Sequence, residues 1–376
     1  MLATPTSGAG RDGGPGTADR AARLGTDVDL SAVRALTVVV DAGDGPSAEV
    51  LAVVLGAVDT LRAVPLGHTP GATRPTGAQR DPDARRALRA AVIEQRADLG
   101  LVVDDAGGCL VLDESGAAVG PGVVAVLVGL RVVAHERAAG HTPTVVHDLL
   151  LSRAVPDLLT TAGAVTVGVR TDVAAGVPTD ARTGIPTDTR SDTSLHAETA
   201  LHAGTAHAET ALHAGTALHA GTALHAETAA RDAVLGVGLD ARFAFRDVPA
   251  ADGGLLAALH VLAAVGGQPH PLSLLVELYQ PYAASGHLIR SVEDVAAAID
   301  RVEQAYVADR GAGPVQASGG TGPEGLLVSH WDSQPQWWFH LGGTRPGLLD
   351  LHVEAADEDI IVKVRDDVLA LVQAPA

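Results

Sequence analysis

The sequence predicts an α/β protein with layered, mostly parallel sheets, followed by a smaller α+β unit. Three observations carry this. Between residues 33 and 169, short β-branched runs alternate with segments of helical apolar spacing, the arrangement that buries a parallel sheet between helices. A low-complexity stretch over 171–230 then interrupts the pattern. Beyond it, three extended runs crowd together and close on a helix.

Residues 1–30 are expected to be a disordered leader, because Ser7-Gly8-Ala9-Gly10 and Gly13-Gly14-Pro15-Gly16 bury too little apolar surface to offset ordering entropy. Leu36 to Val40 reads as a buried strand running into the loop Asp41-Ala42-Gly43-Asp44-Gly45, and Glu49 to Leu61 has helical spacing. Asp83 to Gln95 is the next helix, with Asp81 as its N-cap and Pro82 at the first helical position. Leu99 to Val103 and Cys109 to Leu112 are strands, ending at the turn Asp113-Glu114-Ser115-Gly116. A helix over Val123 to Val133, a strand over Thr144 to Val146, a helix over Ser152 to Ala162 and a strand over Ala164 to Val169 complete this half. After the low-complexity stretch, Phe243 to Asp247 is extended, and Gly254 to Val265 and Leu272 to Tyr279 are helices. Strands at Leu326–Ser329, Trp337–Leu341 and Leu349–Glu354 and a helix over Asp357 to Val372 end the chain.

Composition narrows the function. The 376 residues carry 26 Lys+Arg against 45 Asp+Glu, a net charge of -19, and Lys363 is the only lysine. Duplex binding rests on clustered cations, and anionic membrane surfaces recruit them too, so no nucleic-acid or membrane partner is expected. One cysteine, Cys109, excludes an internal disulfide framework and any multi-cysteine metal site; beside an apolar run it is expected to be a buried small hydrophobe. No apolar run is long enough to span a bilayer and no signal-type h-region is present, so a cytoplasmic location is expected.

The 171–230 stretch is repetitive. Val177-Pro178-Thr179-Asp180 is echoed by Ile185-Pro186-Thr187-Asp188. Leu-His-Ala-(Glu/Gly)-Thr-Ala units then start at Leu195, Leu201, Leu212, Leu218 and Leu224. A period of six matches no helical stripe, so the segment reads as a surface loop. A left-handed β-helix would need more repeats. His196, His202, His207, His213, His219 and His225 leave metal chelation as another use, without preorganisation.

Several segments stand out in order: Thr37-Val-Val-Val-Asp41-Ala-Gly-Asp-Gly45, Arg96-Ala-Asp98-Leu-Gly100-Leu-Val-Val-Asp104-Asp105 and Val146-His147-Asp-Leu-Leu-Leu-Ser152-Arg153-Ala-Val-Pro156. Phe245-Arg246-Asp247 with Ala251-Asp252-Gly253-Gly254, Trp338-Phe339-His340-Leu341 and Val353-Glu354-Ala355 complete the set. Taken together they resemble the α-D-phosphohexomutases, specifically the bacterial phosphomannomutase/phosphoglucomutase group. The resemblance implies two mixed-sheet α/β domains of phosphohexomutase type followed by a small α+β C-terminal domain. The second-domain-like part covers 31–116, the third-domain-like part 117–282 with its insert at 171–230, and the C-terminal part 283–376. It also implies phosphoryl exchange between a phosphoserine and a hexose phosphate, aided by magnesium.

Each implied feature is altered. Only about 30 residues precede the second-domain-like strand, the family's nucleophile segment is not found, and Ser7 is a poor substitute. The metal loop Asp-Gly-Asp-Ala-Asp-Arg becomes Asp104-Asp105-Ala106-Gly107-Gly108-Cys109. Asp104 and Asp105 are then the remaining candidate magnesium ligands, with Asp113 or Glu114 as neighbours. Adjacent strand-end residues point to opposite faces, which argues against both holding one ion. The sugar loop becomes Val237-Gly238-Leu239-Asp240-Ala241-Arg242, leaving Gly238, Asp240 and Arg242 as substrate-binding candidates, or Asp240 and Arg242 pairing on the surface with each other or with Arg246. The phosphate loop becomes Gly342-Gly343-Thr344-Arg345-Pro346-Gly347, in which Gly342, Gly343, Thr344 and Arg345 could cradle a phosphate, though Gly-Gly before Pro also writes a tight strand connection. No residue is assigned as catalytic. His340 and His352 are expected on the solvent face of the sheet, and of Trp337 and Trp338 one is expected to be exposed. Two functions follow: a degenerate phosphomannomutase/phosphoglucomutase-like protein without turnover that retains phosphosugar or protein binding, or an active phosphohexomutase whose phosphoserine domain comes from another chain.

Overall fold

Two four-stranded sheets repeat one connectivity. The computed structural model describes residues 16–43, 45–66, 82–105, 107–170, 222–239, 241–308, 316–319, 325–345 and 347–374. In the first sheet, β1 (Leu36–Asp41), β2 (Leu61–Pro65), β3 (Leu99–Val103) and β4 (Cys109–Leu112) stand in the order β2-β1-β3-β4. The first three are parallel and β4 is antiparallel to β3. The second sheet has the same order, β6-β5-β7-β8, built from β5 (Thr144–Asp148), β6 (Val165–Val169), β7 (Leu235–Val237) and β8 (Phe243–Phe245). Again only the last strand is antiparallel. These are the expected mixed-sheet α/β layers.

Helices α1 (Thr17–Asp27), α2 (Pro46–Gly56), α3 (Pro82–Gln95), α4 (Pro121–Ala138), α5 (Ala154–Thr161), α6 (222–230), α7 (Gly253–Gly266) and α8 (Leu272–Tyr279) surround the sheets. Strand alternation decides which layer each residue joins. Val38, Leu101 and Val103 enter one large core with α4 and α7, while Val39 and Val102 face Leu88 and Val92 of α3. α4 and α7 are apolar on nearly every side and are correspondingly buried between layers, α7 along almost its whole length.

The last unit is an antiparallel sheet of order β10-β11-β12-β13-β9, from β9 (Ala283–Ser291), β10 (Gln316–Gly319), β11 (Leu326–Ser329), β12 (Trp337–Arg345) and β13 (Leu348–Ala355). Helices α9 (Val295–Glu303) and α10 (Glu358–Gln373) cover one face, where Trp337, Phe339, Leu341, Leu351 and Val353 form a second core. Side-chain carboxylates cap both helices: Asp294 accepts from the Ala297 amide and Asp357 from the Ile360 amide.

Four expectations change. The leader read as disordered over 1–30 contains α1, held because Leu24 and Ala21 are buried and Arg20 and Arg23 bind the buried Asp252. The insert read as a surface loop over 171–230 ends in α6, where Leu224 and Thr228 are buried and pack on Gly236 of β7. Strands β2 and β9, unread in the sequence, are half-exposed. The adjacent Trp337 and Trp338 are both buried. They do face opposite sides of the sheet, but the side away from the helices is itself covered. The N-cap assigned to Asp81, and the repeat from 171 to 221, lie outside the described residues.

Candidate functional site

The β3–β4 and β7–β8 loops occupy equivalent places in the two repeated sheets, and they hydrogen-bond to each other. The Cys109 amide donates to the Ala241 carbonyl at 3.0 Å, the Phe243 amide donates to the Gly107 carbonyl at 3.1 Å, and Gly108 pairs with Arg242 as an isolated bridge. Gly107 makes the close turn with φ +82°, and a Cβ there would lie 2.7 Å from the Ala250 carbonyl oxygen.

The two carboxylates read as metal ligands are engaged by different parts of the chain. Asp104 is buried and accepts from the Gly108 amide at 2.9 Å, closing its own loop. Asp105 is exposed and reaches the start of α2, where it accepts from the Ser47 amide at 3.2 Å, the place where a helix N-terminus favours an anion. Its approach leaves no room for a Cβ at Gly45. The neighbouring acids are also engaged. Asp113 accepts from the Ser115 amide and hydroxyl and the Ala117 amide. Glu114 binds Ser273 on α8. Magnesium prefers an octahedral set of oxygens with few protein carboxylates, and these residues do not fit one. Among the described residues, no group of three His, Cys, Asp or Glu side chains is placed to hold a metal.

Of the substrate-binding candidates, Gly238 donates its amide to the Arg242 carbonyl at 2.9 Å. Arg242 is 5% exposed, and Arg246 binds Glu136 of α4 at 2.9 Å. Asp240 lies outside the described residues. The phosphate-binding candidates belong to β12 rather than to an open loop. Gly342 and Gly343 stand in register with Asp350 and Leu349, and Arg345 with Leu348 across a bulge. The connection shrinks to two residues because the strand runs on through Arg345. The side chains of Thr344 and Arg345 lie outside the described set. Cys109 is fully buried, and burial pushes its thiol up to about 12.

What the structure brings together is a cleft of about 220 Å³ between the second sheet's loops and the C-terminal sheet. Its walls include Gly122 at the start of α4, Ser152 in the β5–α5 turn, and Leu239 within the predicted sugar loop. Its floor carries Trp338, His340, His352, Glu354 and His287. His340 and His352 therefore face this cleft, not bulk solvent, because the second unit covers the outer side of the sheet. Glu354 is 2% exposed and accepts from the Ser152 hydroxyl at 2.6 Å, the Arg153 amide at 2.8 Å and the Trp338 indole at 2.6 Å. Burial raises its carboxyl above the ordinary value, and the three donors pull it back. Burial lowers the His352 imidazole, and the neighbouring His287 lowers it further. His287 and Glu354 went unassigned in the sequence; the period-2 spacing of His352 and Glu354 was the available signal.

No protein-family model and no curated protein matches the chain. Solved structures do. A phosphoglucomutase/phosphomannomutase family protein from Burkholderia thailandensis superposes with a TM-score of 0.63 at 16% identity, covering 96% of this chain and 65% of that one. A Thermus thermophilus protein assigned to the phosphomannomutases gives a TM-score of 0.57 at 13% identity, covering 95% of this chain and 66% of that one. The chain thus has a phosphohexomutase-like fold and spans just under two thirds of the length of these structures. Among the described residues, no helix is long and apolar enough to cross a membrane.

Proposed function

We propose that this chain is a cytoplasmic phosphomannomutase/phosphoglucomutase-like protein without mutase turnover, one that retains binding of a hexose phosphate in the cleft above the C-terminal sheet. One observation carries the first half: Asp104 and Asp105 bind the Gly108 and Ser47 amides. Phosphoryl transfer needs charge on the moving group to be neutralised, and a metal held by carboxylates is the usual means. Here a metal would have to displace a loop closure and a helix cap. The binding half is supported by the cleft's own chemistry. The N-terminal end of α4, at Gly122, favours an anion, and Ser152 and the imidazoles of the floor offer polar contacts to hydroxyls.

The test is a coupled assay with mannose 1-phosphate or glucose 1-phosphate, magnesium and the matching 1,6-bisphosphate. No 6-phosphate is expected. Magnesium-dependent turnover that disappears in Asp104→Ala would overturn the proposal. A thermal-shift titration with the same sugars checks binding: Tm rises if the cleft holds them, and a flat response removes that half.

A further inference from the structure

Three histidines form one row across three adjacent strands of the cleft floor. His340 on β12 stands opposite His352 on β13, and His352 stands opposite His287 on β9. The His287 and His352 ring centroids are 5.4 Å apart with the planes tilted by 33°. Each of these two rings has its Nδ1 engaged. His287 Nδ1 lies 2.7 Å from the Asp350 carboxylate, and His352 Nδ1 lies 3.3 Å from the Gly286 carbonyl. Both partners only accept, so in the neutral rings each Nδ1 carries the hydrogen and each Nε2 keeps its lone pair. A carboxylate or carbonyl on the far nitrogen is how metal-binding imidazoles are oriented and made more basic.

The spacing agrees. With metal–nitrogen bonds of about 2.0–2.1 Å and a tetrahedral angle, two imidazoles on one ion place their ring centres roughly 5 Å apart. The second oxygen of Asp350 is buried without a hydrogen-bond partner, so negative charge stands beside His287 that a cation would balance. Imidazole suits zinc, copper and nickel and does not suit magnesium.

We propose that His287 and His352 bind a divalent transition-metal ion, with Asp350 orienting His287 and the other coordination positions open to the cleft. It is a site of two protein ligands and does not depend on the fate of Asp104 and Asp105 or on any phosphosugar.

The competing ligands are the repeat histidines, so the test uses the full chain with His196, His202, His207, His213, His219 and His225 each replaced by Gln. Calorimetric titration with zinc chloride is expected to show one remaining equivalent, and magnesium chloride none. His287→Ala, at a mostly exposed ring whose loss leaves packing intact, removes that equivalent. His352→Ala does the same, with a circular-dichroism melt confirming that the variant is folded. Asp350→Asn keeps the equivalent but weakens it by roughly 10–100-fold, the usual effect of losing an outer partner. If no equivalent remains once the repeat histidines are gone, or if it is unchanged in His287→Ala, the proposal is overturned.

Discussion

Ser152 Oγ donates to Glu354 Oε1 at 2.6 Å, across 202 residues of sequence. The same hydroxyl accepts from the Ala154 amide at 3.1 Å, while the Arg153 amide donates to the other Glu354 oxygen. A carboxylate of the C-terminal sheet therefore sits on the first turn of α5, where a helix N-terminus favours negative charge. The exchange is reciprocal. Asp157 of α5 accepts from the Tyr282 hydroxyl at 2.8 Å and the Trp331 indole at 3.4 Å. Each unit lends the other a carboxylate, and the cleft lies beside the two clamps.

Glu354→Ala leaves the Ser152 hydroxyl, the Arg153 amide and the Trp338 indole without their acceptor. Stranded donors at a buried site should cost about 3 kcal/mol, measured as a lower urea midpoint at unchanged slope. Glu354→Gln tests the sign of the charge. The folded-state carboxyl is raised above 4.5 by burial. Its contribution to stability is therefore full below pH 4.5 and falls as pH rises through the folded value. Stability of the wild type relative to Glu354→Gln should decline over that rise; a difference that is flat with pH would show that burial does not govern this group.

Asp252, 1% exposed, holds α1 to the rest of the molecule through two arginines. Arg20 donates to one oxygen, with Nε at 3.0 Å, and Arg23 to the other at 2.8 Å. Asp252→Ala should cost about 3 kcal/mol by removing the shared partner of two cations. It should also strip hydrogen-exchange protection from the α1 amides before the rest of the fold. Unchanged α1 protection would mean that Leu24 and Ala21 hold the helix without the ion pairs.

The legible parts of this chain were those in which one residue's chemistry settles its surroundings. Val38, Val39, Leu101 and Val102 alternate between two cores, and that alternation is visible in the letters. β2 and β9 were invisible because Leu61–Pro65 and Ala283–Ser291 are half-exposed and mix polar with apolar residues, so neither period stands out. α1 hid in a Gly- and Ala-rich leader because its anchor, Asp252, is more than 200 residues away. The site suffered most. Alternation correctly puts Trp338 and His352 on one face and Trp337 on the other, but it does not say what covers a face. That depends on Ser152 and Asp157 meeting Glu354 and Tyr282, long-range pairings that no local pattern encodes.

His260 on α7 should shape the acid limb of the stability curve. It is buried, its Nδ1 has no hydrogen-bond partner, and it stacks on Phe245 with centroids 5.7 Å apart. Burial, helped by Arg131 and His135, lowers its imidazole to about 3 against an ordinary 6.5. A depressed histidine contributes stability that is present above pH 6.5 and lost as pH falls toward 3, by up to about 1.4 kcal/mol per pH unit. His260→Phe should keep the ring contact and remove that slope. Denaturant midpoints of the two proteins should therefore diverge on acidification, with the variant the more stable; parallel curves would contradict the depressed value.

Two glycine-to-alanine substitutions should move stability in opposite directions. At Gly254 in the first turn of α7, a Cβ would lie 2.3 Å from the Gly108 carbonyl oxygen, a backbone atom in the loop that joins the two sheets. That atom cannot swing away as a side chain could, so Gly254→Ala must push α7 off the β3–β4 loop, at about 1–3 kcal/mol. Gly25 lies inside α1, and a Cβ there meets nothing within 4 Å. Gly25→Ala should gain about 0.5–1 kcal/mol from the lower entropy of the unfolded chain and the better helix former. Thermal melts of both variants against the wild type decide the matter. If Gly254→Ala melts with the wild type, the contact between α7 and the β3–β4 loop is looser than the close approach of Gly254 to Gly108 implies.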